Sequence, residues 1–395
     1  MTPRPFRLHV EEKALDDLRE RLARTRFPDA MPGAPWETGA DLDWMRGLVD
    51  HWQNRFDWRA QEARLNAFDQ YKVPIAGIDL HYLHVAGQGD APLPLLLSHG
   101  WPGSVFEFLD LIPMLTDPER FGGDPADAFT VVAPSLPGYG LSFAANQPRF
   151  SVEQIADVFA QLMSDVLGYP RFATQGGDWG AFISSRIGLA HPDKAIGVHL
   201  NLLPVRRDLA PNADPSPAER QYLAELKHWL AEETGYSLQQ GTRPQTLAYA
   251  LNDSPTGLAA WIAEKFRAWS DCDGDVESVF TKDEILADVS LYWFTGAIGS
   301  SFWPYYARVH GGWPIPLGQT VDVPMGYCEF PAEILHPPRR LAEQTFTDIR
   351  RWSVMAKGGH FAAMEQPEAL AAEIRAFYRP LRAGQDPASH TAGRR

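Results

Sequence analysis

Residues 171–180 read Arg171-Phe172-Ala173-Thr174-Gln175-Gly176-Gly177-Asp178-Trp179-Gly180, and AFISSRIGLA follows at 181–190. Arg171 to Gln175 has the character of a short strand, and Ala181 to Ala190 that of a helix. Between them, small residues stand two before and two after Asp178. A sharp strand-to-helix turn needs small residues at those places because its two backbone arms crowd each other. Such a turn lifts the side chain at its apex clear of the sheet, where it can act as a nucleophile. Serine usually holds that slot; here it is a carboxylate. The alternative is a plain glycine turn in which Asp178 N-caps the next helix. A dinucleotide-binding loop is disfavoured, because the G-x-G-x-x-G spacing is absent.

Working outward, Pro94 to Ser98, Phe129 to Ala133 and Ala195 to Leu200 are continuous apolar runs, as expected of strands buried on both faces. Phe150 to Leu167 carries Ile155, Val158, Phe159, Leu162 and Val166 on one helical face. Alternation of this kind predicts a parallel sheet with helices on both sides. From 205 to 310 the pattern changes to helices and aromatic-rich loops without a clear strand. Strands resume at Val321 to Phe330 and Ile349 to Met355, and a helix over Gln366 to Tyr378 closes the chain. Before Tyr71 only helical signals appear, with Leu15, Leu18 and Leu22 at helical spacing and a Trp- and Leu-rich block from about Asp41 to Phe68. The expected organisation is a helical N-terminal segment packed on the core (1–74), a first core half (75–204), a helical lid (205–310), a second core half (311–383) and a disordered tail (384–395).

Composition narrows the function. Of the 395 residues, 45% are hydrophobic and 22% charged, an ordinary globular balance with material for a sizeable core. A formal net charge of -14 would repel phosphate backbones, and no basic run or zinc-ligand spacing speaks for nucleic acid. Two cysteines, Cys272 and Cys328, make no disulfide framework. The N-terminal MTPRPFRLHVEEK has no apolar core of a signal peptide, and no stretch reaches the roughly 18–20 apolar residues that span a bilayer. A cytoplasmic protein without a membrane anchor is the expectation.

Two further motifs follow strand ends. His99-Gly100-Trp101-Pro102-Gly103-Ser104 comes directly after the Pro94–Ser98 strand. In the α/β-hydrolase fold this loop supplies one oxyanion-hole N–H, and the residue after the nucleophile supplies the other, which selects the backbones of Trp101 and Trp179. A Gly-Pro turn without chemistry is the alternative, and Ser104 lacks the elbow a nucleophile requires. Gly358-Gly359-His360-Phe361 follows the last strand and puts His360 where the order nucleophile, acid, histidine needs it. Glu333, in Phe330-Pro331-Ala332-Glu333, lies after the preceding strand and fits the acid; Asp322 and Glu329 compete from before or within it. No serine completes G-x-S-x-G, which disfavours an esterase or lipase.

With these residues in view the chain resembles the epoxide hydrolases, specifically the microsomal-type branch, over nearly its whole length. The resemblance rests on HGWPGS (99–104), LPGYGLS (136–142), QGGDWG (175–180), GYSLQQGTRPQTLAYALNDSPTGLAAWIAEKFRAW (235–269), LYWFTGAIGSS (291–301) and KGGHFAAMEQPE (357–368). It implies an α/β-hydrolase fold with a mostly parallel central sheet, a helical lid insertion and a helical N-terminal segment. It implies that Asp178 attacks an epoxide carbon, that His360 and Glu333 drive hydrolysis of the resulting ester, and that Tyr236 and Tyr305 in the lid donate to the ring oxygen. Tyr306 competes with Tyr305 by one position. It also favours Glu333 over the other acids. Trp101, Trp179 and Phe361 are expected against the substrate. No metal or cofactor is required; the expected partners are a small apolar or aryl epoxide and water, with a homodimer as the one assembly left open. The nearest rival, a haloalkane or haloacid dehalogenase, shares an Asp nucleophile but has no need of a tyrosine pair. A catalytically silent binding protein of the same fold should have lost part of the acid–base set.

Overall fold

The structure, a computed structural model, describes residues 2–207 and 214–382. The tail expected at 384–395 lies outside the described residues.

Among the described residues nine strands form one sheet: β1 (Arg4–Phe6), β2 (Gln70–Ile75), β3 (Ile78–Val85), β4 (Leu93–Ser98), β5 (Phe129–Pro134), β6 (Phe172–Gly176), β7 (Ala195–Leu200), β8 (Met325–Glu329) and β9 (Ile349–Val354), in the order β1-β2-β3-β5-β4-β6-β7-β8-β9. The pairs from β5 through β4 to β9 are parallel, while β1, β2 and β3 join antiparallel. The chain is thus an α/β-hydrolase fold with a mostly parallel sheet. The apolar runs become the strands buried on both faces, with every residue of β5 and β7 buried.

The structure corrects three readings. The N-terminal segment is not purely helical: β1 pairs with β2 through Arg4 opposite Lys72. Three residues at a sheet edge, one of them Pro5, are too few to show an alternation. The helix expected over Phe150 to Leu167 is an α-helix only over Val152–Gln161 and widens into a π-turn over Leu162–Val166. The strand expected from Val321 begins at Met325, and Val321 makes only an isolated bridge to Phe346. The Pro324 that separates them lacks the N–H a ladder needs.

Between β7 and β8 the described residues are helical, from Pro217–His228 to Trp303–Gly311. Two of these helices start on capping boxes, Ser216 with Glu219 and Thr281 with Glu284. The N-terminal helices pack against this lid. Trp52 Nε1 donates to Ser290 Oγ at 3.0 Å, Trp44 Nε1 to Glu277 at 2.9 Å, and the Thr25 and Thr256 hydroxyls meet at 2.7 Å.

The parallel strands all end at one edge of the sheet, so the segments after β4, β6, β8 and β9 converge there. The turn after β6 is tight. Asp178 sits at φ +43°, in the left-handed region that a side chain enters only under constraint. A Cβ on Gly180 would lie 1.8 Å from the Ser98 carbonyl oxygen, so the helix start is pressed directly onto β4. Gly180→Ala should therefore lower stability by about 1–3 kcal/mol, the usual cost of forcing atoms into packed space. Chemical denaturation measures it; a midpoint equal to that of the wild type would show that the close approach is not there.

Candidate active site

Asp178 opens the helix Asp178–Ala190 directly after β6. Its Oδ1 accepts the backbone N–H of Trp101 at 2.8 Å. The Trp179 N–H lies in the first turn of the same helix, where backbone donors have no partner within the helix. The Asp178 Oδ2 is 3.5 Å from His360 Nε2. On the other side of the ring, His360 Nδ1 and Glu333 Oε1 are 2.6 Å apart. Glu333 is held in turn by the Ile334 N–H, 2.7 Å from the same oxygen, and its side chain is fully buried. The loops carrying the two residues are tied together by Ala332 N–H donating to the Gly358 carbonyl at 3.1 Å.

Asp322 and Glu329 stand elsewhere. Asp322 accepts from the Thr347 hydroxyl at the surface, and Glu329 faces His336 and Glu225. The helix phase also separates the two tyrosines. Tyr305 is buried, its ring 4.8 Å from that of Trp179 and 5.7 Å from that of Tyr236. Tyr306 turns away and stacks on His310 at 3.9 Å. Tyr236 lies flat on Trp101, with ring centres 5.2 Å apart and planes within 9°. Asp178, Trp179, Tyr236 and Tyr305 all line one cavity of about 600 Å3, whose wall continues through Phe182, Trp229 and Trp313 and includes Arg206, Arg207 and Arg308. Phe361 does not reach that cavity. It stacks on Phe266 at 4.3 Å and meets the His360 ring edge-on, so it braces the imidazole.

The electrostatics follow from burial. For His360, burial alone favours the neutral ring, but the Glu333 carboxylate, with the hydrogen bond and charge of Asp178, outweighs it and brings the imidazole up to about 10. Burial, followed by the charge of Asp178, pushes the Tyr236 phenol up. Burial, followed by Tyr236 and Asp178, does the same to Tyr305. Both therefore keep their O–H beside Asp178. Among the described residues no cluster of three or more His, Cys, Asp or Glu side chains is arranged for a metal ion.

Several residues on this site escaped the sequence reading. Trp269 accepts the His360 N–H on its carbonyl at 2.8 Å, and its ring packs 5.1 Å from both His360 and Tyr236. It ends the long lid stretch at 235–269, and only its place at a helix terminus hinted at a contact. Glu107 and Asp288 are carboxyls set in otherwise apolar runs, VFEFL and ILADVSLYWF, which is a legible sign of a buried polar group.

The family described as "Epoxide hydrolase N terminus" matches residues 3–108, and the family "alpha/beta hydrolase fold" matches residues 94–246. A putative epoxide hydrolase of Stigmatella aurantiaca is 44% identical over 379 residues, covering 96% of this chain and 85% of that protein. Epoxide hydrolase 1 of Sus scrofa is 36% identical, covering 95% and 88%. Among solved structures, the juvenile hormone epoxide hydrolase of the silkworm Bombyx mori superposes with a TM-score of 0.86 at 30% identity, covering 98% of this chain and 96% of that one. The Aspergillus niger epoxide hydrolase superposes at 0.83 with 31% identity, covering 96% and 97%. By the extent and identity of these matches, the chain belongs to the epoxide hydrolase family of the α/β-hydrolase fold.

Proposed function

We propose that the chain hydrolyses apolar or aryl epoxides to vicinal diols through a covalent ester on Asp178. The observation that carries this reading is the position of Tyr236 and Tyr305 on the wall of the cavity that Asp178 enters from below. An epoxide has no carbonyl to polarise. A carboxylate opens it by attacking carbon only if the departing oxygen is met by a donor. The core, built from 75–204 and 311–383, carries the nucleophile and base, and the lid at 205–310 carries the donors. A dehalogenase would have no use for two phenols there. Substrate contacts fall to Trp179 in the large cavity; Trp101 lies beneath Tyr236 and Phe361 behind His360, both outside that cavity's wall. A cytoplasmic setting fits two free, buried cysteines, and no helix among the described residues is long and apolar enough to cross a membrane.

In the resting site His360 carries a proton between two carboxylates. Asp178 Oδ2 attacks the ring carbon, the C–O bond breaks, and one tyrosine gives its proton to the alkoxide. Asp178 is now a neutral ester, so one of the two groups that held the imidazolium proton is gone. His360 releases that proton toward the tyrosinate and becomes a base. It then takes a proton from water as the water attacks the ester carbonyl. The oxyanion rests on the Trp101 and Trp179 N–H groups, each worth about 3–4 kcal/mol in comparable sites. Collapse of that oxyanion releases the diol and restores both the carboxylate and the imidazolium.

Removing the base should divide the reaction. His360→Gln should still open styrene oxide but stop at the ester, so intact mass should rise by one substrate and digestion should place it on the peptide carrying Asp178. A folded His360→Gln protein that never gains this mass would sink the covalent route.

The lid donors give a second outcome. Tyr236→Phe and Tyr305→Phe should each slow ring opening about 10²-fold or more, while Tyr306→Phe stays close to wild type. Rapid-quench rates decide it; a crippled Tyr306→Phe beside an active Tyr305→Phe would reverse the assignment.

The raised His360 also has a thermodynamic sign. Its folded value of about 10 exceeds the roughly 6.5 of an unfolded histidine. Its pairing with Glu333 and Asp178 therefore stabilises the fold fully below pH about 6.5 and fades as pH rises through about 10. The stability gap between wild type and His360→Gln, measured by urea denaturation, should narrow between pH 6 and pH 10. A gap that widens would contradict the assigned charge state.

A further inference from the structure

Beside the large substrate cavity lies a second, much smaller one. It measures about 20 Å3, and its wall includes Asp178, His360, Glu107, Gln175 and Asn201. A space of that size holds about one water, which needs some 10–15 Å3 and two or more polar partners. Polar partners are present. Gln175 gives its Nε2 to Asn201 at 2.8 Å, which leaves its buried Oε1 without a protein partner.

Glu107 reaches this space by a particular route. It belongs to the short helical turn Val105–Phe108 that follows the oxyanion loop. Its side chain folds back over Gly103, where a Cβ would lie 1.5 Å from Glu107 Oε1. Any side chain at position 103 would evict the carboxyl. The Ser104 backbone donates to that carboxyl. Buried Asp288 of the lid stands close enough to raise Glu107 by its charge. Glu107 is not fully buried, and it lines the cavity together with Asp178 and His360. The ring-opening step gives it no task.

We infer that Glu107 positions the hydrolytic water: the carboxyl oxygen not engaged by Ser104 accepts one hydrogen of a water seated in the small cavity, while His360 takes the other. This rests on the covalent route proposed above. With both hydrogens directed away, the water turns a lone pair toward the Asp178 ester carbonyl, the geometry attack requires. Burial pushes Glu107 up, and Asp288 and Asp178 add to it, while the charge of His360 opposes them. Glu107 thus serves the second half-reaction and not the first.

Glu107→Gln tests this without changing size. The Ser104 N–H draws the amide oxygen, so the NH2 faces the cavity and offers only donors. Single-turnover quenched-flow with styrene oxide, read by intact mass, should give alkylation within about twofold of wild type and ester hydrolysis about tenfold slower, the loss expected for one hydrogen bond. The Asp178 adduct should accumulate during turnover. Gly103→Ala should give the same split by displacing the carboxyl, and it stands in if Glu107→Gln fails to fold. Unchanged hydrolysis, or an equal fall in both steps, would overturn the role. His360→Gln runs alongside: an adduct there and none in Glu107→Gln overturns this inference alone, whereas no adduct in either overturns the covalent route with it.

Discussion

One imidazole has to balance several carboxyls inside a space largely closed to water. Asp178, Glu333, Glu107 and Asp288 lie on or near a single site, and His360 is the one base set directly between two of them. In a medium of low polarity unbalanced charge is costly, so the groups settle into complementary states. His360 holds its proton firmly, Asp288 is pushed up to about 7 by burial, and Glu107 is pushed up as well. The rest of the site serves this arrangement. The glycine-lined turn brings Asp178 within reach of the ring, the tie between residues 332 and 358 fixes Glu333 beside it, and Trp269 and Phe361 clamp the imidazole plane.

This balance also explains why one site can run two steps with opposite demands. Attack on carbon wants an anion and no base, while ester hydrolysis wants a base and no anion. On the proposed route Asp178 loses its charge when it reacts, and that change alters what its neighbours can do. No conformational rearrangement has to be invoked for the switch.

Much of this was legible from the sequence because the signals are local. A tight turn needs small residues on both sides of Asp178, and a loop that must come close to it needs the glycines before His360. Once each motif is placed at a strand end, topology brings them together at one edge. Glu333 could be chosen over Asp322 and Glu329 for the same reason: it follows its strand, while they do not. What was not legible depends on phase and distance. Which of Tyr305 and Tyr306 faces the cavity is a matter of 100° of helix rotation, settled by packing against Trp179. Phe361 sits beside the right residue in sequence yet points into Phe266. Glu107 gains access to the small cavity only because position 103, four residues earlier, has no side chain. The edge strand at Arg4–Phe6 was invisible because its partner lies some 70 residues away and its pairing leaves no pattern in three residues.

The N-terminal helices are pinned to the lid by Trp52 on Ser290, Trp44 on Glu277 and Thr25 on Thr256, while β1 is stitched into the sheet of the core. One continuous segment therefore grips both halves of the molecule, like a hasp across a box. A lid strapped in this way is a poor hinge, and molecules that enter must fit the bore as it stands. Discrimination among epoxides then becomes a matter of calibre, set by side chains such as Phe182, Trp229 and Trp313. Widening or narrowing that bore one residue at a time should retune what the enzyme accepts while the charge-balanced floor beneath it stays as it is.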